Sequence, residues 1–216
     1  MDIHSMDQLL GLSTDQIMER LIRVRENADM LFYMDSLFYP RVSPAFNPAD
    51  PFHAARRNGS HGIDVMIGYT DYEMGLWLTW NEALDRHPCA WFAGHLECIE
   101  PALKDSAVKL YDDCFAHEEP GVRGMYMLGD SIFVMPSVWF ADELLRNDEK
   151  VWVYQYDWQS DPRRRALHAG DQTYLFNKHD TAAGHHLLGE AKSAADRARR
   201  ETLTAAMQDS VLAFVR

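Results

Sequence analysis

The amino-acid sequence predicts an α/β protein in which helices cover a mostly parallel sheet. Three observations carry that prediction. Val65-Met66-Ile67 is a short apolar run that ends at Gly68 and passes into a polar loop with two acids, Asp71 and Glu73. A buried strand that ends in such a loop is how an open α/β sheet presents functional groups beyond the carboxyl ends of its strands. Val151 to Trp158, V-W-V-Y-Q-Y-D-W, is apolar on nearly both faces, the pattern of a strand covered on both sides. Near the C-terminus, Leu203, Ala206, Met207, Val211 and Phe214 form a helical stripe spaced to pack on a sheet face.

Composition sets outer bounds. A chain of 216 residues fits one domain with a sizeable core. The formal net charge of −12 argues against a phosphate-backbone partner, so no nucleic acid is expected. No stretch reaches the roughly 20 apolar residues of a membrane span, so no membrane partner is expected either. The N-terminus, M-D-I-H-S-M-D-Q, has no basic region followed by a long apolar one. No signal peptide is therefore visible, and a cytoplasmic location is expected if the chain is complete. The three cysteines, Cys89, Cys98 and Cys114, are too few and odd in number for a disulfide framework, and read as reduced thiols. His95 lies three residues before Cys98, but no second close pair completes a structural zinc spacing. Neither metal nor cofactor is expected.

In chain order, Leu10 to Phe32 reads as an amphipathic helix. Ile17, Leu21 and Val24 share one face, and Ser13 and Gln16 have capping-box spacing. Tyr39 to Gly62 carries Pro40, Pro44, Pro48, Pro51 and Asn58-Gly59, and reads as loop with one helical turn at Phe52 to Arg57. Leu76 to Cys98 is rich in aromatics, including Trp77, Trp80, Trp91 and Phe92; a helical core is favoured over an apolar wall for a ligand. Ile99 to Phe115 reads as helix and Glu118 to Gly124 as turn. Ile132 to Leu145 reads as a helix N-capped by Asp130, with Pro136 near its first turns. After the strand at Val151, the arginines Arg163 to Arg165 read as a solvated loop. His168 follows ten residues after the strand's end, and Tyr174-Leu175-Phe176 offers a third short strand.

Strand then acid, and strand then histidine, form two thirds of a hydrolytic triad. The candidate acids are Glu73, Asp71 and Asp157; Asp171 is placed to brace its own loop. A metal hydrolase built on His95, His117 or His179 lacks a ligand motif.

Four segments resemble type-B carboxylesterases. I-D-V-M-I-G-Y-T-D-Y-E-M-G (63–75) resembles the segment ending in D-E-G, with Glu73 five residues after the strand-end glycine. G-D-S-I-F-V-M-P (129–136) resembles the family's helix-opening segment. V-W-V-Y-Q-Y-D-W resembles V-W-x-Y-x-F-D-W, and H-A-G-D-Q-T-Y-L-F-N (168–177) resembles H-G-x-E-L-P-F-V-F-G. The resemblance runs in unbroken order from about Leu10 to Arg216. It departs at Met74, which stands where the family has glycine directly after the acid, at Asp171-Gln172-Thr173, and at Asn177, which replaces a glycine.

The resemblance implies the C-terminal part of an α/β-hydrolase fold: the last strands of a mostly parallel sheet plus covering helices, all of 1–216 belonging to one carboxylesterase domain. It makes Glu73 the acid and His168 the histidine of a Ser-Glu-His triad. No G-x-S-x-G elbow and no glycine-rich oxyanion loop occur here. The nearest string, Asn58-Gly59-Ser60-His61-Gly62, has the wrong spacing. The implied partners are a small-molecule ester and the N-terminal part of the same enzyme, without which the segment should be inactive. Should the chain act alone, Ser60 and Ser131 are the alternative nucleophiles. A second reading is a non-enzymatic, esterase-like interaction module.

Overall fold

The computed structural model describes residues 3–26, 43, 50–80, 84, 86–94, 100–160 and 164–216. The chain divides into two compact units, Met1–Arg41 and Val42–Arg216.

The first unit holds α1 (Met6–Leu10) and α2 (Thr14–Glu26), not the single helix expected from Leu10. The break comes from two capped starts in tandem. Gln8 N–H donates to Ser5 Oγ, and His4 N–H donates to Gln8 Oε1. Ser13 and Gln16 form a full capping box, each side chain accepting from the other's N–H at 2.9 and 3.3 Å, which starts a fresh helix after Gly11. The expected stretch from 27 to Phe32 lies outside the described residues, as do Pro40, Pro44 and Pro48.

The second unit opens with α3 (Pro51–Asn58), two turns rather than one. Asp50 caps it through Phe52 and His53 N–H, and Pro51 at the first helical position needs no hydrogen-bond acceptor. Glu143 accepts two hydrogen bonds from Arg56, and Asn147 donates to the Ala55 and Arg56 carbonyls. Glu149 Oε1 accepts from Ser60 N–H at 3.0 Å. These contacts deliver the chain into β1.

Strands β1 (Val65–Thr70) and β2 (Val151–Tyr156) pair in parallel and in continuous register, from Val65 opposite Val151 to Thr70 opposite Tyr156. Tyr72 and Leu167 add one more bridge beyond the strand ends. Gly68 does not end β1. It sits in mid-strand because a Cβ there would lie 2.1 Å from the ring of Tyr154, its pairing partner. The expected cover on both faces of β2 is not found: Trp152 and Val153 are 45% and 46% exposed. The third strand is not found either. Tyr174 and Leu175 belong to a helix, α9 (Gly170–Leu175), and Asn177 ends that segment with the left-handed φ of 51° that asparagine tolerates.

Between the strands run α4 (Gly75–Trp80), α5 (Cys89–Gly94), α6 (Lys104–Cys114), α7 (Pro120–Gly129) and α8 (Met135–Leu145). The turn expected at Glu118 to Gly124 is the start of α7, with Pro120 in its first turn. The glycines serve packing: a Cβ on Gly124 would lie 1.9 Å from the ring of Phe92, which is fully buried. Asp130 is not an N-cap. Its backbone is helical, and the chain runs from α7 through one wide π turn, Asp130–Val134, straight into α8. Pro136 lacks an N–H and crowds the preceding turn, a local cause for that widening. Asp130 accepts from Tyr111 OH at 2.6 Å.

After β2 the chain forms α9, α10 (Ala182–Leu188) and α11 (Ala194–Val215). Leu203 and Met207 of the predicted stripe pack on Tyr156, Tyr174 and Leu188, and Phe214 meets Trp152 edge-on at 5.2 Å. Within the basic stretch Arg197 to Arg200, Arg200 is 1% exposed and donates to the Gly189 carbonyl. Among the described residues no helix is long and apolar enough to cross a membrane.

Two outcomes follow from this packing. Gly124→Ala should lower stability by about 1–3 kcal/mol, because the pinned Phe92 ring cannot yield. Gly94→Ala, with open space around it, should change stability by less than about 1 kcal/mol and in the favourable direction; thermal melts of the chain in a soluble, monodisperse complex compare them. Asp130 is held above the usual carboxylate range, mainly by burial. Its charged form therefore opposes folding at neutral pH, and that penalty is relieved as pH falls through its raised value. Asp130→Asn keeps an acceptor for Tyr111, so it should stabilise the chain at pH 7. The gain over wild type should shrink in melts of the same complex at progressively lower pH. A gain independent of pH contradicts the assignment.

Candidate active site

The site lies beyond the C-terminal ends of β1 and β2, where parallel pairing brings two loops side by side. Tyr72 N–H donates to the Ala166 carbonyl at 3.0 Å, so the register of the sheet continues into both loops. Glu73 follows Tyr72 and His168 follows Leu167. The side chains of Glu73 and His168 therefore meet, although 95 residues separate them in sequence.

Glu73 is 5% exposed. Its Oε1 accepts from Thr70 N–H at 2.7 Å, and its Oε2 lies 2.5 Å from His168 Nδ1. A carboxylate offers lone pairs only, so Nδ1 carries the shared proton and Nε2, across the ring, is left with a lone pair. The imidazole lies beside two aromatic rings, Trp77 at 5.7 Å and Phe133 at 4.9 Å between centroids. Its side chain is 36% exposed. It borders a cleft of about 140 Å³ lined also by Gly68, Thr70, Ser137 and Gln172. One buried, twice-bonded carboxylate thus holds a partly exposed imidazole in a single tautomer and orientation.

The rival acids lie elsewhere. Asp71 Oδ1 accepts from Gln155 Nε2 at 3.0 Å, and burial raises its carboxyl above the usual range. Asp157 is exposed. Asp171 braces the loop as expected, by accepting from Tyr154 OH at 2.9 Å. Ser60 sits before the start of β1, where its Oγ donates to the Ile63 carbonyl; Ser131 Oγ donates to Met127. Neither hydroxyl is bonded to His168. Met74, the departure next to the acid, is fully buried, and α4 starts directly after it at Gly75. Ala169 takes a left-handed conformation, φ 62°, directly after His168.

Sequence reasoning missed three groups. Phe133 reaches the imidazole from the π turn before α8; Pro136 is a local signal for that turn, but nothing local says that the turn brings Phe133 to His168. Trp77 is core, as favoured, but it also walls the histidine. Arg165, expected in solvent, is 19% exposed and chelates Glu118 through Nη1 and Nη2 at 2.8 and 2.6 Å. Arg163 lies outside the described residues, as do His95 and Cys98. His117 and His179 do not converge: His117 Nε2 is 3.4 Å from Glu118, and His179 is buried against Tyr174. Among the described residues no three His, Cys, Asp or Glu side chains could hold a metal ion.

The carboxylesterase family profile matches residues 6–216. The chain is also similar to the para-nitrobenzyl esterase of Bacillus subtilis (strain 168), at 25% identity over 182 residues. That alignment covers 81% of this chain and 34% of the esterase, so the chain spans about a third of the length of the curated relative it matches. With a family match over nearly its whole length, the chain belongs to the carboxylesterase family of α/β hydrolases.

Proposed function

We propose that residues 1–216 form the C-terminal segment of one carboxylesterase domain and supply the acid and histidine of a Ser-Glu-His triad for hydrolysis of a carboxylic ester. The observation that carries this reading is the Glu73–His168 pair, with one carboxylate oxygen on Nδ1 and the other on the Thr70 amide. In this reading a serine hydroxyl from a preceding part of the same enzyme attacks the ester carbonyl carbon. His168 Nε2 takes the hydroxyl proton as the C–O bond forms, then gives it to the alcohol oxygen as the ester bond breaks. Water repeats the sequence on the acyl-serine: its proton passes to Nε2 and on to the serine oxygen, and the carboxylic acid leaves. Glu73 holds the tautomer throughout and stabilises the transient imidazolium. The rings of Trp77 and Phe133 limit water around the imidazole, which strengthens its pairing with the carboxylate.

The sheet supports the same reading. The sheet has two strands among the described residues, and half-exposed Trp152 and Val153 on β2 are suited to further cover. A preceding part of the enzyme would provide both the missing strands and the oxyanion-binding N–H groups.

Two outcomes test it. The chain alone should hydrolyse para-nitrophenyl acetate at the rate of an inert protein. Supplying a family partner segment that carries G-x-S-x-G should restore turnover. In that assembly His168→Ala should lower kcat by about 10⁴-fold or more, and Glu73→Gln by roughly 10³–10⁴-fold. Turnover by the chain alone that His168→Ala abolishes would instead assign the nucleophile to a serine of this chain. In solution the isolated chain should self-associate or melt without a sharp transition, because loss of cover over several side chains worth about 1.5–3 kcal/mol each exhausts a margin of about 5–15 kcal/mol. Co-expression with the N-terminal part should give a soluble complex. A monodisperse monomer with one sharp melt, by sedimentation and calorimetry, contradicts the segment reading and favours a self-standing interaction module.

A further inference from the structure

We propose that Arg165 is a positioning residue for the Glu73–His168 pair, locking the acid loop and the histidine loop into one rigid unit. The inference rests on the acid and histidine roles given above to Glu73 and His168. Arg165 lies three residues before His168 and takes a left-handed backbone conformation, φ 49°, which is unfavourable for a non-glycine residue and persists only where the surroundings enforce it. Its side chain shows what enforces it. Nη1 and Nη2 chelate the two oxygens of Glu118, Nη1 also donates to Tyr126 OH at 3.1 Å, and the guanidinium lies 5.2 Å over the ring of Tyr72.

Tyr72 is the residue before Glu73. Its ring packs on Tyr126 at 4.7 Å between centroids, and its N–H bonds to Ala166, the residue after Arg165. The guanidinium therefore clamps the backbone step that sets both members of the pair. Each loop is a short strand-end segment; Glu118, before α7, is an anchor outside both. Arginine suits this task and lysine does not: only the planar fork chelates a carboxylate and lies flat on a tyrosine at once. Arg165 touches neither Glu73 nor His168 through any bond described above, so its effect on them is through position.

The test reads the pair directly. In the assembled, monodisperse protein labelled with ¹⁵N at histidine, the His168 Nδ1 proton should appear as a strongly deshielded, slowly exchanging resonance. Glu73→Gln should abolish it. Arg165→Ala should speed its exchange with water about tenfold or more, while amide protection in β1 and β2 stays at the wild-type level. Arg165→Lys should recover only part of the effect. If Arg165→Ala does not fold, Glu118→Gln, which leaves Arg165 in place without its charged anchor, carries the test and should give the same faster exchange. A resonance lost in Glu73→Gln but unchanged in folded Arg165→Ala and Glu118→Gln overturns the positioning role and leaves the acid assignment standing. A resonance indifferent to Glu73→Gln overturns the pairing itself, and the positioning role with it.

Discussion

The parallel pairing of β1 with β2 is the constraint on which the rest of the second unit depends. Parallel strands point their C-terminal ends the same way, so whatever follows each strand emerges at one edge of the sheet. Here the register continues past both strands to the Tyr72–Leu167 bridge, and the next residue in each chain segment is Glu73 or His168. A slip of one residue would turn every side chain to the opposite face and would separate the carboxylate from the imidazole. Gly68 belongs to this constraint, since only a residue without a side chain leaves room for the ring of Tyr154 opposite it.

The helical crossover between the strands does more than return the chain. Parallel pairing requires a long connection, and this one brings α4 and the π turn before α8 against the same edge, with Trp77 and Phe133 beside His168. The imidazole is therefore walled by rings while Nδ1 is held by a buried acid. The low local polarity that makes an unpaired buried group costly also strengthens a satisfied one. The wide turn at Asp130–Val134 places Phe133 there, an instance of local helix irregularity coinciding with a site.

Charge is handled on the same principle. Arg165, Arg200 and Glu143 are each drawn into the structure with partners: Glu118, the Gly189 carbonyl, and Arg56 with Arg146. A buried ion without a partner would cost more than the fold's margin allows. Glu118 is accordingly held below the usual carboxylate range by its hydrogen bonds from Arg165. The surface of β2 contrasts with these satisfied groups, since its aromatic and branched side chains remain half open to solvent.

Much of this was legible in the residues themselves. The apolar runs at Val65 and Val151, the capping pair Ser13 and Gln16, the C-terminal stripe on α11, and the order acid then histidine are local patterns, and each reports short-range physics: burial period, cap chemistry, helix spacing. Which acid meets the histidine was narrowed to Glu73 by spacing and resemblance, but the contact itself belongs to the sheet, because Asp71 is two residues away and is drawn instead to Gln155. The helix at α9, the continuous α7–α8 helix and the buried Arg165 were not legible. Tyr174-Leu175-Phe176 reads as a short strand until Tyr156 and α11 cover Tyr174, Glu118 to Gly124 reads as turn until Phe92 occupies the notch at Gly124, and an arginine beside other arginines reads as solvated until Glu118 and Tyr72 arrive from 47 and 93 residues away. Local sequence determined the elements and the chemistry they carry; the tertiary structure decided which of those groups touch, because contacts across such separations depend on register and packing that no single stretch contains.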